Sequence, residues 1–138
     1  MTYQQMIFVN LAVKDLSVSR KFFTDLGYPI NEQFSDEHTT SVVISDAIVV
    51  MLLENARFQE FTPSGKGIVD ASKSNEVLVA LSAESREKVD ELSDKALASG
   101  ATPAREPEDH GFMYGRSFQD PDGHVWEVVW MDPASIKG

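Results

Sequence analysis

The chain carries the same order of elements twice. Residues 6–13, MIFVNLAV, have the composition of a strand, with Ile7, Val9, Leu11 and Val13 on one face and Phe8, Asn10 and Ala12 on the other. Asp15 stands where a helix N-cap belongs. Leu16, Phe22, Phe23 and Leu26 then fall on one helical stripe, and Gly27 is a natural stop. Three further strands are expected at 28–34, 39–45 and 47–53, separated by the turn-like SDEH and SDA. The second half repeats this order: a strand at 76–81, an N-cap at Ser85, and a stripe of Val89, Leu92 and Ala96 ending at Gly100. Strands at 101–106, 112–118 and 124–131 follow. The two N-caps lie about 70 residues apart. A module of this kind buries one sheet face beneath its helix; the other face must meet a second sheet or remain a concave cup.

The expected fold class is therefore α+β: two βαβββ modules, about 4–56 and 75–133, forming a curved, cup-shaped mixed sheet with a helix on the outer face of each. Together they make a single domain over 1–138. The connector, about 57–74, contains Pro63, Gly65, Gly67 and several serines and is expected to be a functional or mobile loop; its Phe58 and Phe61 are expected to pack against the fold, with direct ligand contact as the less favoured alternative.

Composition narrows the partners. The 138 residues are 42% hydrophobic, in short clusters, which suits one soluble globular core. No apolar run approaches the roughly 18 residues that span a bilayer. The segment MTYQQMIFVNLAV has neither a basic leader nor a small-residue cleavage site, so export is not expected. Absence of cysteine excludes disulfides, thiolate metal sites and cysteine nucleophiles, and fits a cytoplasmic protein. A net charge of −10, from 22 acidic and 12 basic residues, repels phosphate backbones and anionic membranes, and the basic residues form no stripe. Neither nucleic acid nor a membrane is an expected partner; a small-molecule ligand is.

Two segments carry a resemblance. AVKDLSVSRKFFTDLGY (12–28) after the first strand and DPDGHVWE (120–127) before the last, within a paired βαβββ pattern, resemble the vicinal oxygen chelate superfamily over nearly the whole chain. That group includes glyoxalase I, the fosfomycin-resistance thiol transferases, the extradiol dioxygenases and the bleomycin-resistance proteins. The resemblance implies divalent-metal ligands on the first and last strands of each module, at positions held here by Phe8, Met51, Leu78 and Glu127. Only Glu127 is a metal ligand of the usual kind. Phe and Leu donate no lone pair, and a thioether suits Cu(I) rather than Mg, Mn, Fe or Zn. No cofactor is expected, and a divalent metal is disfavoured.

The candidate ligand-binding residues are Phe8, Asn10, Met51, Leu78, Tyr114, Arg116 and His110, and the candidate catalytic residue is Glu127. Phe8, Asn10, Met51, Leu53 and Leu78 would line the cup, with Trp126 and Trp130 on the opposite face of their strand. His110 lies in a polar loop as a substrate contact or general base. Arg116 would anchor an anion or neutralise Glu127, and Asn10 is the other candidate partner for that carboxylate. The favoured function is metal-free binding or sequestration of a small, partly apolar molecule, as the bleomycin-resistance proteins do. The alternative is a glyoxalase-like lyase or isomerase, or a dioxygenase, that uses Glu127 as acid/base or with an unconventional metal. A third possibility is a cup packed shut by side chains. The resemblance also implies a homodimer.

Overall fold

Both N-caps fold as the sequence predicts. In the computed structural model, which describes residues 2–135, Asp15 Oδ1 accepts from the backbone N–H groups of Ser17 (3.0 Å) and Val18 (3.3 Å), and Ser85 Oγ accepts from that of Lys88 (3.1 Å). They open the helices α1 (Leu16–Asp25) and α3 (Arg86–Ala98). The chain divides between Val69 and Asp70 into two compact units, each with its own sheet.

In the first unit β1 (Ile7–Val13) pairs in parallel with β3 (Ile48–Glu54), which pairs antiparallel with β2 (Thr39–Ser45). The register puts Leu11 beside Leu52 and Val42 beside Val50, on the face that α1 covers. Leu11, Val13, Val42, Val50, Leu52, Phe22 and Phe23 form that buried core, with the two phenyl rings edge to face at 5.0 Å. The second unit repeats the arrangement. Here β4 (Leu78–Ser82) lies parallel to β8 (Val125–Met131), and β8 is antiparallel to β7 (Met113–Gln119). The short β5 (Thr102–Pro103) and β6 (Glu108–Asp109) both pair with β7. Val89 and Ala96 on α3, with Phe118, Trp126 and Val128, form its core. The architecture is mixed α+β with two mixed sheets, three helices and no closed barrel among the described residues. No helix among them is long and apolar enough to cross a membrane.

Three expectations fail locally. Residues 28–34 are not a strand. Pro29 O and Asn31 N each make one bond to the edge of β2, and Asn31 then caps a 3-10 turn over Glu32–Phe34. Proline supplies no ladder donor, and the asparagine side chain offers the backbone a competing bond at Gln33 N. The strand expected over 101–106 shrinks to Thr102–Pro103, because Pro103 and Pro107 interrupt the donors; Ala104 N and Arg105 N still reach Ser117, and regular pairing resumes at β6. Finally, the start of the expected connector is a helix, α2 (Asn55–Glu60). Its Ala, Arg, Gln and Glu are good helix formers, and the Pro and Gly signals begin only at Pro63.

The DPDG turn has one dominant organiser. Asp120 is buried, and its carboxylate accepts from the backbone N–H groups of Asp122 and His124 and from the indole Nε1 of Trp126, each at 3.0 Å. Burial nonetheless pushes its carboxyl above the ordinary value. Gly123 closes the turn at φ +97°, and a Cβ there would stand 2.7 Å from the Ala71 carbonyl oxygen, so only glycine fits. Asp120→Ala should leave three donors without their acceptor and lower unfolding stability by about 3 kcal/mol, read as a reduced urea midpoint with an unchanged slope.

Candidate functional site

The pairing register decides which side chains share a face. Phe8, Asn10, Met51 and Leu53 lie on the side of the first sheet away from the α1 core, with Asn10 directly beside Met51 and Phe8 beside Val49. Helix α2 packs against this side. Asn10, Leu53, Phe58, Phe61 and Thr62 line a half-open cavity of about 460 Å³, so side chains do not fill the space. Leu53 is its buried floor, whereas Phe61 is 73% exposed. Asn10 Nδ2 donates to Phe8 O at 3.3 Å. Thr62 Oγ1 is engaged locally with Gln59 O (2.9 Å) and Gln59 Nε2 (2.5 Å), and that same Nε2 reaches Lys66 O (2.7 Å).

Helix α2 follows β3 with no intervening residue, and polar contacts fix it in place. Glu54, the last residue of β3, meets His38 Nδ1 at 2.5 Å. Arg57 donates to Thr39 Oγ1 (3.1 Å) and reaches Asp36 (3.4 Å) and Glu60 (3.5 Å). Phe61 and Thr62 come from the stretch assigned by sequence to a loop. The signal that would have found them is the run of helix formers directly after β3, which carries Phe58 and ends at Phe61 as the C-cap residue.

In the second unit Glu127 is half-buried, with Ala80 on one side and Ser117 on the other. Leu78, 65% exposed, shares its face. Glu127 Oε2 lies 3.8 Å from Arg105, which also holds Glu108 at 2.9 Å; His110 Nε2 stands 3.5 Å from Glu108. His110 and Glu127 thus belong to one chain of polar contacts that runs through Glu108 and Arg105. The cleft beside Glu127 holds only about 10 Å³.

Tyr114 and Arg116 do not join this group. Ser117 is the residue opposite Glu127, so Arg116, one position away, points to the other face of β7, toward α3. There Tyr114 donates to Asp90 at 2.6 Å, and Arg116 donates to Asp90 and Asp94, each at 3.0 Å. The expected partnership of Arg116 with Glu127 is therefore corrected: Arg105 takes that place. Asn10, the other candidate, bonds within its own strand. Beside this cluster, Arg86 makes two 2.8 Å bonds to Asp109 and stacks over Tyr114 and Trp130, each ring centroid 5.2 Å away. The Arg86 guanidinium holds the Asp109 carboxyl well below the usual carboxylate range.

With the two duplicated units and their faces in view, the comparisons with known proteins are decisive about family. Residues 5–128 match the Glyoxalase/Bleomycin resistance protein/Dioxygenase superfamily. The chain belongs to this superfamily. Among solved structures, a hypothetical protein from S. aureus is 32% identical, with a TM-score of 0.75 over 94% of this chain and 95% of that one. A glyoxalase/bleomycin resistance protein/dioxygenase family enzyme from Burkholderia phytofirmans PsJN is 18% identical, with a TM-score of 0.73 over 93% and 99% of the two chains. A fosfomycin resistance protein from Listeria monocytogenes is 19% identical, with a TM-score of 0.66 over 99% and 96%. At these last two identities the likeness shows the fold alone. No curated protein matches the chain.

The superfamily's usual metal does not fit these residues. The positions at issue offer two hydrocarbons, Phe8 and Leu78, one thioether, Met51, and one carboxylate already beside a guanidinium. Among the described residues no group of three or more His, Asp or Glu side chains could hold an ion.

The α3 face titrates. Asp90 is held below the ordinary carboxylate value, first by the Tyr114 hydroxyl and then by Arg116. A carboxylate with a depressed folded pKa contributes stability above its unfolded value, near 3.8, and loses it as pH falls through the folded one. Asp90→Asn should therefore be less stable than the parent at pH 7, with the difference shrinking below pH 4, as measured by urea unfolding across that range.

Proposed function

We propose that the protein binds a small, partly apolar molecule in the cavity beneath α2, without the divalent metal of its metal-dependent relatives, in the manner of a bleomycin-resistance-like binding or sequestering protein. The observation that carries this reading is the cavity of about 460 Å³, walled by Phe58 and Phe61 and floored by Leu53. A volume of that order with an apolar lining and a few polar groups suits a small-molecule ligand. The donor chemistry of Phe8, Met51 and Leu78 supports the metal-free part. The cleft beside Glu127 is too small for a substrate, which favours binding over catalysis by that carboxylate.

Elemental analysis of protein purified without chelator should find far less than one equivalent of Mn, Fe, Ni or Zn per chain. Stoichiometric metal that disappears in Glu127→Gln would overturn the metal-free reading. The same variant should retain ligand affinity within about twofold by isothermal titration, because it leaves the lining residues Asn10, Leu53, Phe58, Phe61 and Thr62 unchanged.

A cytoplasmic homodimer completes the proposal. Strands β1 and β4 are edge strands of their sheets among the described residues, and they expose Ile7 (56%), Phe8 (55%) and Leu78 (65%). Exposed apolar side chains on unpaired edges favour assembly. Light scattering after size exclusion should give twice the 15.3 kDa chain mass; a monomer at micromolar concentration would refute the dimer.

A further inference from the structure

We propose that the cavity beneath α2 selects a flat aromatic molecule that carries no negative charge and is oriented by one hydrogen bond to Asn10. This rests on the reading of the cavity as the binding site and names the class of ligand it takes.

The lining supplies the argument. None of Asn10, Leu53, Phe58, Phe61 and Thr62 is ionised. An anion entering would lose part of its water against two phenyl rings, whose faces carry negative charge density, and would meet no lining cation in exchange. The nearest guanidinium on α2, that of Arg57, is already shared by Asp36, Glu60 and Thr39. A net charge of −10 adds to the repulsion. A neutral ring loses little hydration and gains contact with both phenyl groups. Phe61, exposed at the mouth, gains most from being covered.

The polar groups narrow the class further. Thr62 Oγ1 is occupied by Gln59. Among the described residues Asn10 makes a single side-chain bond, from Nδ2 to Phe8 O. Its carbonyl oxygen and second N–H can therefore meet a donor or acceptor on the ligand. One such contact against an apolar wall fixes which edge of a flat molecule points inward.

Two probes with one ring skeleton separate charge from shape: neutral N-phenyl-1-naphthylamine and its sulfonated counterpart, 8-anilino-1-naphthalenesulfonate. Fluorescence titration of the full chain should show the neutral probe binding at least about tenfold more tightly. Phe58→Ala/Phe61→Ala should weaken the neutral probe at least about fivefold. Phe61→Ala alone alters an exposed side chain and should do so in part, with an unchanged melting temperature. Equal or tighter binding of the sulfonate, lost in the double variant, would overturn the charge selection and leave the cavity as a binding site. Failure of both probes to bind, or equal binding of the neutral probe by parent and Phe61→Ala, would overturn the site itself.

Discussion

The second unit is organised around a single buried carboxylate. Asp120 gathers two backbone N–H groups of its own turn and the indole N–H of Trp126, and so fixes both the turn and the first inward-facing residue of β8. Once Trp126 is committed to the α3 core, alternation along the strand leaves Glu127 no choice but the other face. DPDG and the residues after it are therefore a folding device before they are anything else. Their presence says which superfamily the chain belongs to, and it says little about chemistry, because the turn and the strand after it fold in the same way whatever Glu127 does.

Charge is distributed by the same alternation. On the α3 face, Tyr114 and Arg116 meet Asp90 and Asp94, while Arg86 lies over Tyr114 and Trp130. On the opposite face Arg105 stands against Glu127 and Glu108. Each arginine is beside a carboxylate, which lets a sheet with polar residues on both sides remain ordered. These pairs are largely exposed, so they set register and orientation more than they add stability.

Much of the fold was legible from periodicity. The N-caps at Asp15 and Ser85, the aromatic stripe of α1 and the positions of β1, β2, β3, β7 and β8 follow from local chemistry, and the structure keeps them. What escaped was decided by pairing across strands. No local signal shows that Ser117, rather than Arg116, stands opposite Glu127, and one step of register exchanges the two faces. Pro29 and Pro103 could have warned against the strands at 28–34 and 101–106. Helix α2 was hidden because the glycines and prolines after it set the character of the whole connector. The cavity combined both outcomes: Asn10 and Leu53 were legible from alternation along their strands, while Phe61 and Thr62 depended on a helix that was not expected.

The direct passage from β3 into α2 bears on how binding would be controlled. Glu54 ends the strand and precedes the helix, so the floor of the cavity, Leu53, and its wall, Phe58, are five residues apart in one continuous rigid piece. A wall built this way has no hinge loop on that side. A ligand entering a recess already formed in this way would spend little ordering entropy. A site of that kind would discriminate by outline and by charge, and would reject a molecule of the wrong shape instead of adjusting to it.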